Sequence, residues 1–219
     1  MSGQRWFTGL ERASGLVVPN GFDLEFGGPE FDGELTAAEK ALCSTWTEFR
    51  QSQFRLGRSA ARRAIGRRSR RATETIGFDD DGAPSWPVDL VGSLSHKRLH
   101  CVAIVGDARK LSAVGIDLEI DAVDRGEKAL VERVCATERE LAQLAWLPGV
   151  TRSPGTLFLS AKEAFYKMQF PKSRRFLDWD DVEVIFEPPR FRVIDDATED
   201  QGVLVVSDGW ILAVCSRKA

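Results

Sequence analysis

Histidine and cysteine are both scarce in this 219-residue chain, and neither is spaced for metal or redox chemistry. His96 and His100 are the only two histidines, too few for a histidine-rich metal centre. The four cysteines, Cys43, Cys101, Cys135 and Cys215, lie far apart and form no C-x-x-C pair, which argues against a zinc site and against a disulfide framework. No apolar run approaches the roughly 20 residues that span a bilayer. The opening residues Met1-Ser-Gly-Gln-Arg-Trp6 lack the apolar core of a signal peptide. A soluble protein of the reducing cytoplasm is the expectation.

A strong charge imbalance is also missing: the formal charge is -3 and the pI near 5.6, which argues against wholesale nucleic-acid binding. The charge is nevertheless uneven. Glu34 to Thr75 holds ten basic and four acidic residues, whereas Phe176 to the C-terminus holds ten acidic and four basic ones. Such polarity suggests an anionic ligand near the first region, although a solvated basic helix would look the same.

At this length the chain fits one large domain or two lobes of about 100 residues. Residues 1–33 read as irregular structure with at most a short strand. Thr36-Ala-Ala-Glu39 is a capping box, and Leu42, Trp46, Phe49, Leu56, Ala60 and Ala64 keep helical spacing to about Gly66. The punctuation Asp79-Asp-Asp-Gly-Ala-Pro-Ser-Trp-Pro87 precedes strands at 90–95 and 101–105. Beyond Lys110 follow a strand at 113–120, a helix at 127–134, a second capping box at Thr137 and Glu140, and a helix that Ser153-Pro154 would open as cap and first-turn proline. Three or four strands close the chain, the last two joined by an Asp208-Gly209 hairpin turn. The fold class is therefore α+β: two lobes in series, residues 1–110 and 111–219, with a cleft between them.

The richest chemistry lies in Val114-Gly-Ile-Asp-Leu-Glu-Ile120. Strand alternation places Ile116, Leu118 and Ile120 on one face and Asp117, Glu119 and Asp121 on the other. Stacked carboxylates repel unless protonated or bridged by a cation, and hard oxygen donors on a firm strand suit Mg2+. Ser160-Ala-Lys-Glu-Ala-Phe-Tyr-Lys167 then adds Glu163 and, one helical turn on, Lys167. Each feature alone has a plainer reading, as a solvated acidic stripe or an ordinary i,i+4 ion pair.

Together with Phe49-Arg-Gln-Ser-Gln-Phe-Arg-Leu-Gly-Arg58 and the residues that follow it, and with Gly92-Ser-Leu-Ser-His96, these segments occur in the order seen in 4'-phosphopantetheinyl transferases. The chain resembles the monomeric, two-lobed type that activates siderophore, peptide and polyketide synthases. The resemblance implies two similar lobes in a pseudo-two-fold arrangement, with the active site in their cleft. It also implies transfer of phosphopantetheine from coenzyme A to a serine of an apo acyl or peptidyl carrier protein, releasing adenosine 3',5'-bisphosphate. By the same resemblance Asp117, Glu119 and Glu163 hold Mg2+ (or Mn2+), and Lys167 and Lys162 meet the coenzyme A phosphates. Ser95 and His96 hold the ribose 3'-phosphate end, and Arg50 and Arg58 bind nucleotide phosphates. Glu163 is the expected base, directly or through a water.

Two departures from the family pattern stand out. Asp81 occupies the place of a lysine or arginine before Gly82-Ala-Pro-Ser-Trp-Pro87, and Arg98-Leu99-His100 replaces a glycine-bearing loop, so Lys97 or Arg98 is expected to supply the missing positive charge. The eight arginines between Arg55 and Arg71 exceed the needs of one nucleotide and are expected to be solvated or to attract an acidic carrier surface. A metal-dependent phosphohydrolase using the same carboxylates is the competing enzyme reading. An arginine-helix nucleic-acid binder is the non-enzymatic one, disfavoured by the acidic C-terminal region.

Overall fold

The computed structural model describes residues 7–30, 33–68, 75–123 and 125–219. Trp6 and the end of the arginine run, Arg70 and Arg71, lie outside the described residues. Two antiparallel sheets organise the described residues. The first has three strands in the order β1 (Phe22–Gly27), β3 (His100–Asp107), β2 (Leu90–Lys97). The second has five, β4 (Leu111–Ile120), β8 (Trp210–Lys218), β7 (Glu199–Ser207), β6 (Arg190–Ile194) and β5 (Glu183–Glu187).

Helix α2 (Ala37–Cys43) opens with the capping box: the Glu39 amide donates to Thr36 Oγ1 at 3.2 Å and the Thr36 amide to Glu39 Oε2 at 2.9 Å. The long α3 (Glu48–Arg68) packs Ala60, Ala61, Ala64 and Ile65 onto the first sheet through Cys101, Ala103 and Val105. On the second sheet lies α6 (Pro154–Ser173), flanked by α4 (Glu127–Val134) and α5 (Glu138–Gln143); Leu157, Phe158, Ala161, Ala164, Phe165 and Met168 form its buried face. Gly115 lets α6 come this close to β4, since a Cβ there would sit 1.9 Å from the Ala164 carbonyl oxygen.

The region read as irregular holds a ten-residue helix, α1 (Thr8–Val17), as well as β1. Its first amides are capped from the far end of the chain: Asp208, in the β7–β8 turn at φ 54°, accepts from the Gly9 amide at 2.6 Å and the Leu10 amide at 3.3 Å. This helix therefore packs on β7 of the second sheet although it belongs to the first part of the chain. A shared apolar cluster joins the sheets, with Phe26, Val102 and Ile104 from one meeting Ile116, Leu118, Leu212 and Val214 from the other, and Phe7 and Leu10 over them. Among the described residues no helix is long and apolar enough to cross a membrane.

Candidate active site at the seam between the sheets

Strands β2 and β4 meet side by side at the junction of the two sheets. Residues two apart on β2 face the same way, and each touches β4 in turn. Ser93 Oγ accepts from the Ile116 amide at 3.1 Å, Ser95 Oγ donates to Asp117 Oδ1 at 2.8 Å, and the Lys97 ammonium pairs with Glu119. From α6, Lys167 Nζ donates to the same Asp117 Oδ1 at 2.6 Å and to Ser95 Oγ at 3.2 Å. Asp117 is only 4% exposed, and its second oxygen, Oδ2, is buried with no hydrogen-bond partner among the described residues. A buried, unpartnered carboxylate oxygen costs free energy unless something else binds it.

Glu163 and Glu119 share this environment. Burial raises the Glu163 carboxyl above the ordinary carboxylate range, with Lys167 opposing and the charges of Asp117 and Glu119 adding to the rise. Burial likewise raises Glu119, against the Lys97 hydrogen bond and with the charge of Asp117. Among the described residues no three acidic, histidine or cysteine side chains are already gathered as a metal cage. The oxygens are nonetheless of the kind Mg2+ takes: the orphaned Asp117 Oδ2 and the Glu119 and Glu163 carboxylates, with the Lys97 and Lys167 ammonium groups supplying positive charge beside them.

On the first lobe's side of Ser95 opens a cavity of about 320 Å3, lined by Arg50, Phe54, Arg58, Phe78, Ser95 and His96 among others. The Arg50 guanidinium lies 5.0 Å from the Trp46 ring centre. His96 reaches solvent, yet the surrounding protein and the positive charges of Lys167 and Arg50 lower its pKa below the usual imidazole value, favouring the neutral ring. A second, mainly apolar cavity of about 410 Å3 runs between Trp86, Leu94, Val114, Met168 and Phe176, with Lys167 in its wall.

Comparison with known proteins decides the family. The profile of the 4'-phosphopantetheinyl transferase N-terminal domain matches residues 38–106, and that of the 4'-phosphopantetheinyl transferase superfamily matches residues 113–215. The chain belongs to this transferase superfamily. It is 31% identical over 177 residues to the 4'-phosphopantetheinyl transferase Npt of Nocardia iowensis, covering 79% of this chain and 74% of that protein. It is 33% identical over 109 residues to the 4'-phosphopantetheinyl transferase PptT of Mycobacterium tuberculosis, covering 49% and 46%. To the enterobactin synthase component D of Salmonella typhi it is 33% identical over 119 residues, covering 54% and 47%. The chain thus spans about three quarters of the first relative and about half of the other two.

Within this transferase, several residues singled out by sequence take other positions than expected. Lys162, expected at the coenzyme A phosphates, forms a buried ion pair. It is 1% exposed, and its ammonium donates to Glu140 Oε1 at 2.9 Å and the Trp179 carbonyl at 2.5 Å. Arg58 is also 1% exposed, held by the Ile76 carbonyl at 2.6 Å and the Gly77 carbonyl at 3.3 Å between the Phe54 and Phe78 rings. Burial pushes its pKa down to about 10, which leaves it charged at neutral pH. Asp121 leaves the carboxylate stripe as β4 ends. Its Oδ1 accepts from Thr151 Oγ1 (2.6 Å), the Arg152 amide (2.8 Å), the Ser153 amide (3.1 Å) and Ser153 Oγ (3.0 Å). Ser153 consequently makes no side-chain cap of its own for α6.

Four arginines near the end of α3 pair with three carboxylates of the same lobe, and Arg67 stays 60% exposed. Arg62 pairs with Glu39 at 2.7 Å, Arg63 with Glu25 at 3.3 Å, Arg67 with Glu25, and Arg68 with Asp23. Asp81, in place of the expected basic residue, joins Asp79 in gripping Arg174, which follows α6, at 2.8 and 2.9 Å. His100 packs edge-on against Phe7 and tilted against Trp210, as a structural residue does.

Proposed function

We propose that this chain transfers the 4'-phosphopantetheine arm of coenzyme A to the serine of an apo acyl or peptidyl carrier protein, with Mg2+ held by Asp117, Glu119 and Glu163. The observation that carries this reading is the meeting of β4 carboxylates, the α6 residues Glu163 and Lys167, and the β2 serine Ser95 at one seam, beside a cationic, aromatic cavity. Arg50, His96 and Ser95 line the cavity where the ribose 3'-phosphate would lie. Arg58 is part of the same wall, where its charge lies over the Phe54 and Phe78 rings.

The chemistry required is attack of the carrier serine Oγ on the phosphorus that bears pantetheine. The new P–O bond forms as the pyrophosphate P–O bond breaks, and adenosine 3',5'-bisphosphate departs. When bound, Mg2+ would act as a Lewis acid that neutralises the pyrophosphate. Lys167, already aimed into the seam, would meet negative charge developing on the leaving phosphate. Glu163 would take the serine proton, directly or through a water; coordination to Mg2+ would lower its basicity, which favours the route through a water. Incubation with coenzyme A, Mg2+ and an apo carrier tests the proposal. A phosphopantetheine mass gain on the carrier serine is expected. Coenzyme A cleavage without carrier modification would favour the hydrolase reading instead.

A further inference from the structure

Three carboxylates and two ammonium groups, Asp117, Glu119 and Glu163 with Lys97 and Lys167, leave this seam with a single net negative charge before any ligand arrives. A divalent cation entering among all five would tip the cluster to net positive, which favours the departure of one lysine. The two are not equivalent. Lys167 is 28% exposed and anchored on both Asp117 and Ser95. Lys97, at the end of β2, is 40% exposed, and on its flexible stem the ammonium can be rehydrated at little cost.

We propose that Lys97 is a resident counter-ion of Glu119 that a divalent cation displaces, so that this lysine sets how tightly the free protein takes metal. The inference rests on the proposed function and adds a residue to it. Lys97 holds Glu119 in place and keeps the two lobes in register at the third contact of the β2–β4 seam. It also competes for the oxygens that metal needs. By sequence Lys97 is a candidate to supply the phosphate-binding charge that Asp81 cannot; the structure turns it instead toward the metal seat.

The test is Mn2+ binding to the protein without coenzyme A, followed by electron paramagnetic resonance, for wild type, Lys97→Met, Lys97→Arg and Arg98→Ala. Removing a half-exposed ion pair of this kind predicts about two- to fivefold tighter Mn2+ binding for Lys97→Met. Lys97→Arg should stay near wild type, and so should Arg98→Ala, the neighbour at φ 54°. Unchanged or weaker binding in Lys97→Met overturns the proposal. If wild type still modifies a carrier in that case, only the role of Lys97 falls; if no variant binds Mn2+ saturably and no carrier is modified, the function falls with it.

Discussion

Lys162→Met separates a structural lysine from a phosphate-binding one. In the folded protein the Lys162 ammonium and the Glu140 carboxylate are 1% and 0% exposed, so methionine keeps the stem's bulk but leaves an uncompensated buried carboxylate. Breaking one side of a buried pair costs about 3–5 kcal/mol. Glu140 retains amide donors from Ala136 (2.9 Å), Thr137 (3.3 Å) and Val184 (2.9 Å), which places the loss at the lower end, about 3 kcal/mol. At ~2–4 °C per kcal/mol for a chain of this size, the midpoint should fall by roughly 6–12 °C. Thermal unfolding by circular dichroism reads the stability, and carrier modification at 20 °C reads the KM for coenzyme A. That KM should change less than about threefold, because the ammonium is committed to Glu140 and Trp179. A lysine that held a phosphate would give the reverse, a roughly ten- to hundredfold rise in KM with an unmoved midpoint, and that outcome would overturn the structural role of Lys162.

Asp117→Ala should abolish transfer while the protein still unfolds cooperatively; activity equal to wild type at saturating Mg2+ would contradict the assignment. Asp121→Ala removes the acceptor of four bonds at the start of α6 and should cost about 2–3 kcal/mol in urea unfolding, together with a fall in kcat, with Asp121→Asn between it and wild type. Glu163 has a folded-state pKa raised above its unfolded value, so its ionised form costs stability at neutral pH, and that cost vanishes as pH falls through the raised pKa to the ordinary carboxylate range. Metal-free Glu163→Gln should therefore melt above wild type at pH 7, with the gap closing toward pH 4; a gap independent of pH would count against it. Arg50→Ala removes an exposed cation stacked on Trp46 and should raise the coenzyme A KM about tenfold or more with a midpoint shift under about 2 °C.

Local signals were readable wherever the partners lie within a few residues. Thr36 with Glu39 and Thr137 with Glu140 form the expected reciprocal caps, and the Asp208-Gly209 turn joins β7 to β8 at positive φ. Alternation along β4 was equally legible, since Ile116 and Leu118 face the shared core and Asp117 the seam. What escaped depends on residues far apart in sequence. Helix α1 has no cap of its own because Asp208 provides one across 199 positions. Asp121 reads as part of a carboxylate stripe only while the strand continues, and β4 ends one residue earlier. Lys162 is likewise set by distant partners, since its buried ammonium pairs with Glu140 of α5 and the Trp179 carbonyl, neither of which its local sequence signals.

The division of labour across the seam follows from the same geometry. Carboxylates sit on β4 and the lysine–glutamate pair on α6, while the cavity with Arg50 and His96 is built from α3 and β2. On the proposed reading, neither lobe carries both the charge-neutralising and the nucleotide-facing groups. Their spacing is set by Ser93 on the Ile116 amide, Ser95 on Asp117 and Lys97 on Glu119, and by the apolar cluster beneath them. Gly115 fixes the remaining distance, from β4 to α6, because a larger residue would drive the Ala164 and Met168 backbone outward and carry Glu163 and Lys167 with it. If the proposed transfer takes place here, aligning a pyrophosphate with an attacking serine requires β2, β4 and α6 to move as one body, which places the tolerance for substitution outside this seam rather than within it.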